Sequence, residues 1–252
     1  MSAFLRENSP GALREMAKRP AGLVACDIEP DTHNLRKNFT GKSNMNEEKT
    51  NRRANEKARK RKEARDKMLA EKTVEKGLLI VHTGKGKGKS TAAFGLAARA
   101  LGNDMRVGVV QFVKGAWHSG ERRVLEHFGE QIDIRVMGEG FTWETQDRAR
   151  DIRAAQSAWQ AAEEMIAACR GDKPAYDLIL LDELNIVLRY DYLPINEVMN
   201  TLCARPPMLH IVVTGRNARE EIIDVADLVT EMVAVKHPFR EQNVRAQRGI
   251  EF

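Results

Sequence analysis

Residues 78–95, LLIVHTGKGKGKSTAAFG, constrain this chain more than any other stretch. A short apolar run, a loop alternating glycine with lysine, and an alanine-rich segment follow one another. The run predicts a strand over 78–82, and the alanine-rich part predicts a helix over 90–101. A strand, a glycine loop and a helix in that order predict an anion-binding βα unit. Gly88, Lys89 and Ser90 fit the end of the phosphate-loop pattern GxxxxGK[ST]. The first glycine position holds Thr83, with Gly84 one step later.

Each residue of the loop has a physical task in that reading. Gly84, Gly86 and Gly88 permit positive φ and close approach of the backbone to a ligand. Successive N–H groups then form an anion-binding concavity. The helix beginning near Lys89 adds its unsatisfied N–H groups and the positive end of its dipole. The Lys89 ammonium can contact terminal phosphates, and the Ser90 hydroxyl can ligate Mg²⁺. Thr91, Lys85 and Lys87 are candidates for holding the outer phosphates. The competing reading, a solvated glycine–lysine linker, does not explain why strand and helix flank the loop.

The texture continues to the C-terminus. Apolar runs at 78–82, 106–113, 132–137, 177–182, 209–215 and 228–235 alternate with helical patterns at 89–102, 118–128, 146–170, 194–204 and 217–226. Alternation of this kind predicts an α/β fold with a doubly wound, mostly parallel sheet of the phosphate-loop (RecA-like) class. In such sheets ligands bind outside the carboxyl ends of the strands. LILLDEL places Asp182 and Glu183 there, as candidate Mg²⁺ ligands acting directly or through water. A helix-capping Asp182 and a solvated Glu183 are the bland alternative. Arg216 follows the run IVVTG and is either a phosphate or ribose contact or a surface arginine.

Residues 138–145, GEGFTWET, set Phe141 and Trp143 between glycines and acids in a chain that is only 6% aromatic. If the stretch is extended, both side chains point the same way. They either plug the core or offer a flat apolar surface to a flat ligand.

The N-terminal part differs. Residues 1–44 carry scattered prolines and glycines without sustained periodicity and are expected to be irregular. Residues 45–76 are rich in Ala, Glu, Lys and Arg, lack Gly and Pro before 77, and predict a solvated helix, a possible lid. Met45 stands where a start site would give a tidier protein. Within 46–77 there are 12 lysines and arginines against 7 acids, which leaves 29 of each sign elsewhere. The basic balance thus belongs to one segment, and a basic globular face for nucleic acid is not indicated. No apolar run approaches the roughly 18 residues needed to span a bilayer. Cys26, Cys169 and Cys203 are far apart and form no CxxC pair, which reads as reduced thiols of a cytoplasmic protein.

The chain resembles the ATP:corrinoid adenosyltransferases of the phosphate-loop type. The similarity is carried by TGKGKGKSTAAFGLAARA at 83–100, VGVVQFVKG at 107–115, GERRVLE at 120–126, GFTWET at 140–145, LILLDELN at 178–185, VVTGR at 212–216 and AQRGIEF at 246–252. It runs in family order over 77–252 and does not cover 1–44. The family often has a neutral residue at Lys85 and Thr at Ser90. The resemblance implies transfer of the 5′-adenosyl group of ATP to the cobalt of a reduced corrinoid (cobalamin) with release of triphosphate. It further implies Mg²⁺ held by Ser90 and Glu183, an electron donor such as a reduced flavoprotein, and a homodimer. On that reading Phe141 and Trp143 cover the lower face of the corrin and displace the axial base from cobalt. The rival reading is a recombinase-like ATPase whose basic segment grips nucleic acid.

Overall fold

The computed structural model describes residues 42–113, 120–137 and 147–250. The chain divides into two compact units, Met1–Lys72 and Thr73–Phe252. The first contains helix α1, Lys42–Ala70. It starts three residues before the expected boundary and stops short of 76. Every residue from 47 to 70 is exposed. The pairs Glu56–Lys60 (3.0 Å) and Arg59–Glu63 (3.7 Å) lie one turn apart along its surface. The helix follows from composition, and no apolar stripe accompanies it.

The second unit holds a six-stranded sheet. Its strands are β1 (Leu79–Thr83), β2 (Val107–Gln111), β3 (Ile132–Val136), β4 (Leu178–Asp182), β5 (His210–Thr214) and β6 (Leu228–Glu231). The order is β3-β2-β4-β5-β1-β6, and every pairing is parallel. Five of the strands fall within the apolar runs, and β1 extends one residue past its run, to Thr83. The helices are α2 (Lys89–Leu101), α3 (Gly120–Leu125), α4 (Arg148–Ala167), α5 (Leu184–Arg189), α6 (Ile195–Cys203), α7 (Glu220–Val225) and α8 (Pro238–Glu241). A 3₁₀ turn over Glu126–Gln131 continues α3. Helix α5 has no counterpart in the sequence reading, because its six residues directly follow a strand and blend with its apolar run.

The four inner strands are buried along almost their whole length. Side chains alternate between the sheet's faces. Leu79, Val81, Ile179, Leu181, Ile211 and Val213 pack against α4, α5 and α6. Ile80, Val109, Leu180 and Val212 pack against α2 through Ala93, Phe94, Ala97 and Leu101. Burying a leucine or isoleucine in this way stabilises by about 1.5–3 kcal/mol. Gly108 supplies room for the first layer, since a Cβ there would lie 3.1 Å from Met165 Sδ. The two edges differ from the centre. β3 is half-buried, and β6 is exposed and four residues long, against the eight of its apolar run.

Candidate functional site

Register aligns the carboxyl ends of the inner strands. His82 pairs with Thr214, and Gln111 pairs with Asp182. The loops that leave this edge carry the residues singled out from the sequence.

The phosphate loop leaves β1 at Thr83. Gly84 (φ +96°) and Gly88 (φ +103°) take left-handed conformations, as the glycine spacing requires. Gly88 is the N-cap of α2, and no side chain caps the helix there. Its first N–H groups and the positive end of its dipole make an anion site. The glycines also have a task that the sequence did not disclose. Met232, just past β6, donates its N–H to Thr83 O at 2.9 Å and accepts the Gly86 N–H at 2.6 Å. A Cβ at Gly84 or Gly86 would stand 2.5 or 2.7 Å from Met232 O. At these two positions the close approach is made by the protein's own backbone. Gly88 is roomier, with Met232 Sδ 3.5 Å away.

Lys89 opens α2 and folds back over the loop, its Nζ donating to Gly86 O at 2.6 Å. It is 6% exposed. Burial pulls its amine below the usual lysine value; the Glu183 carboxylate opposes this and the Arg216 guanidinium adds to it. Ser90 is half-buried, while Lys85, Lys87 and Thr91 are exposed.

Asp182 ends β4 and is fully buried. One oxygen accepts from Gln111 Nε2 at 3.0 Å and the other from Thr214 Oγ1 at 2.8 Å. Glu183, half-buried, follows with φ 65° and ψ 23°. Holding a glutamate in this left-handed conformation costs about 1–3 kcal/mol. Its N–H donates to Thr214 Oγ1 at 2.9 Å.

Arg216 lies on the loop leaving β5, which is tied at three points. Gly215 N–H donates to His82 O at 3.2 Å, Asn185 Nδ2 to Gly215 O at 3.3 Å, and Ala218 N–H to Thr83 Oγ1 at 3.0 Å. Thr83, which replaces the usual first glycine, thus links the phosphate loop to the arginine loop. Gly215 has φ +129°, and a Cβ there would approach Asn185 Cβ to 2.8 Å. Arg216 itself is exposed.

Behind Glu183, the turn after α5 is cross-braced. Tyr190 and Tyr192 stack at 5.6 Å, and Arg148 lies over the Tyr192 ring at 5.2 Å while donating to Tyr190 O at 3.1 Å. Arg219 pairs with Asp191. Phe141 and Trp143 lie outside the described residues.

One end of the sheet therefore gathers Gly84, Gly86, Gly88, Lys89 and Ser90 of the loop with Asp182, Glu183 and Arg216. Thr214, Met232 and Asn185 were not singled out from the sequence. Thr214 had a readable signal, a polar residue closing an apolar run; Met232 and Asn185 had none. Among the described residues no group of three or more His, Cys, Asp or Glu side chains could hold a metal. Among the described residues no helix is long and apolar enough to cross a membrane.

The family described as ATP:corrinoid adenosyltransferase BtuR/CobO/CobP matches residues 75–252. A corrinoid adenosyltransferase of Sinorhizobium sp is 54% identical over 77% of this chain and 88% of its own length. One from Pseudomonas aeruginosa is 49% identical over 78% and 94%, respectively. The corrinoid adenosyltransferase CobA of Salmonella typhimurium is 47% identical over 74% and 91%. Matches of this extent span the sheet and every loop at its carboxyl edge, and this chain belongs to the ATP:corrinoid adenosyltransferase family.

Proposed function

We propose that this protein transfers the 5′-adenosyl group of ATP to the cobalt of a reduced corrinoid, releasing triphosphate, in adenosylcobalamin synthesis. The observation that carries the reading is the loop–helix anion site, with Lys89 and Arg216 beside it, in a chain of this family. Cobalt(I) is a nucleophile with no proton to lose, so no side-chain base is needed. The protein's part is to hold C5′ toward the corrin and to stabilise charge on the leaving triphosphate.

The loop amides and the α2 N-terminus hold the polyphosphate. Lys89 places its ammonium against it, and Lys85, Lys87, Thr91 and Arg216 surround its outer oxygens. Ser90 and Glu183 hold Mg²⁺, with Asp182 behind them. Bound there, the cation neutralises phosphate charge. An oxygen-only donor set of this kind suits Mg²⁺, which is shared with phosphates and water. Phe141 and Trp143 cover the lower corrin face and exclude the axial base and water.

The same reading includes a cytoplasmic homodimer served by an electron donor such as a reduced flavoprotein. Cys169 and Cys203 are free thiols, as the cytoplasm favours. Leu228, Val233, Val235 and Phe239 leave an apolar edge exposed around β6, of the kind a subunit contact covers. An ATPase acting on nucleic acid is not favoured, because the family match covers 75–252.

The test supplies ATP, Mg²⁺ and chemically reduced corrinoid and resolves the phosphorus products. Triphosphate with adenosylated corrinoid is expected; ADP or orthophosphate without a carbon–cobalt bond refutes the reading. Phe141→Ala and Trp143→Ala should slow the reaction severely from cobalt(II) and much less from preformed cobalt(I). Equal losses in the two assays would remove the axial-displacement role.

A further inference from the structure

We propose that Thr214 is a positioning residue for the nucleotide site, its hydroxyl fixing the Asp182–Glu183 peptide and thereby the direction of the Glu183 carboxylate. The inference rests on the reading that Glu183 helps to hold the cation on the phosphates.

Thr214 ends β5, the strand that lies between β1, with the phosphate loop, and β4, with the acids. It is fully buried. The three residues before it, Ile211, Val212 and Val213, are apolar and equally buried, so packing alone would be served by valine. Its oxygen instead does two things at once. It donates to Asp182 Oδ1 at 2.8 Å and accepts the Glu183 N–H at 2.9 Å. A hydroxyl, with one proton and two lone pairs, can do both; a methyl can do neither.

The geometry gives those two bonds a consequence beyond satisfying buried polar groups. Asp182 is held on its other side by Gln111 Nε2 at 3.0 Å, so the chain Gln111–Asp182–Thr214 crosses the carboxyl ends of β2, β4 and β5. Glu183 is the next residue, in a left-handed conformation that β-strand continuation would not give. The turn redirects its side chain relative to the strand, and the Thr214 oxygen holds the N–H of the residue that makes the turn. Asp182 acts in this scheme through the backbone, at full burial, while Glu183 carries the carboxylate whose charge acts on Lys89.

The experiment measures ATP affinity of the full-length protein by calorimetry, with and without Mg²⁺. The variants are Thr214→Val, Thr214→Ser, Glu183→Gln and the Thr214→Val/Glu183→Gln double variant. Glu183→Gln should lose most of the gain in affinity that Mg²⁺ confers. Thr214→Val should reduce that gain about tenfold, the loss of roughly one charge-assisted contact. Thr214→Ser should keep it within about twofold of the parent, and metal-free affinity should be the same in the parent, Thr214→Val and Thr214→Ser. The double variant should be no worse than Glu183→Gln alone, because both changes act through one carboxylate. If Thr214→Val does not fold, Thr214→Ala carries the same comparison.

An unaltered Mg²⁺ gain in Thr214→Val overturns the proposal. So does an equal loss with and without metal, or losses that multiply in the double variant. If Glu183→Gln keeps the full gain, the underlying assignment of Glu183 fails and the proposal falls with it. A failure confined to Thr214 leaves that assignment standing.

Discussion

Gly84 and Gly88 look alike in the sequence, since both belong to one phosphate-loop pattern and both have positive φ. Their surroundings separate them. Alanine at 84 would set its Cβ 2.5 Å from Met232 O, whereas at 88 the nearest atom is a side-chain sulfur at 3.5 Å. Gly84→Ala should therefore destabilise by more than about 2 kcal/mol, through both clash and backbone conformation. Gly88→Ala should cost about 1–2 kcal/mol, the conformational part alone. Urea unfolding midpoints of the two variants check the difference. Lys89 is held against Gly86 O by burial and a 2.6 Å hydrogen bond, a cation kept over the loop at some electrostatic cost. Lys89→Ala should weaken ATP binding at least tenfold and lower kcat about 10²–10³-fold. Calorimetry and single-turnover kinetics separate the two effects.

Strand β6 supplies the loop's support, although it is a short exposed edge that, among the described residues, pairs with β1 alone. Its attachment starts one residue before it. Asp227 accepts from Leu79 N–H at 2.9 Å and from Arg205 at 3.3 Å, and it pairs with Lys76. The hydrogen bond from Lys76 and that from the Leu79 amide hold its carboxyl below the ordinary aspartate range. A depressed carboxyl contributes stability at pH values above its unfolded pKa, near 4. That contribution is lost as pH falls through the lower folded value. Asp227→Asn should reduce stability at pH 7 by about 1–2 kcal/mol and remove part of the acid-side decline below about pH 4. Chemical denaturation from about pH 2.5 to about pH 7, which brackets the unfolded value, checks the sign. Because Met232 follows β6 directly, the same variant should weaken ATP binding through the loop.

The two units differ in what holds them. The sheet buries side chains on both faces, whereas every residue of α1 from 47 to 70 is exposed. A chain beginning at Thr73 should melt within about 3 °C of the full-length protein, since the residues of α1 from 47 to 70 are all exposed. It should also keep its affinity for ATP. A rise in the corrinoid KM of the shortened chain, with ATP affinity unchanged, is the outcome expected if the basic helix serves as a lid; equal KM values would end that reading. Scanning calorimetry and steady-state kinetics on the two lengths provide both comparisons.

Much of this was legible before any coordinates. Parallel strands buried on both faces must be continuous apolar runs, which made the four inner strands legible; the edge strands β3 and β6 also began apolar runs. The short, half-hidden α5 escaped because six residues are too few to show a helical period. The phosphate loop was legible because its glycines, lysine and hydroxyl lie next to one another in the chain. Arg216 could be suspected from its place after a strand, but the ties that hold its loop to His82, Thr83 and Asn185 could not. Local order along the chain thus sets the strands, the helices and the anion site, since backbone conformation and side-chain alternation depend on near neighbours. Long-range pairing set the rest: β5 between β1 and β4, Thr214 against Asp182 at the end of β4 and the Glu183 amide after it, Met232 in the space that Gly84 and Gly86 leave. Those contacts join residues as far as 148 positions apart (Gly84 with Met232), a proximity created by sheet order and invisible to periodicity.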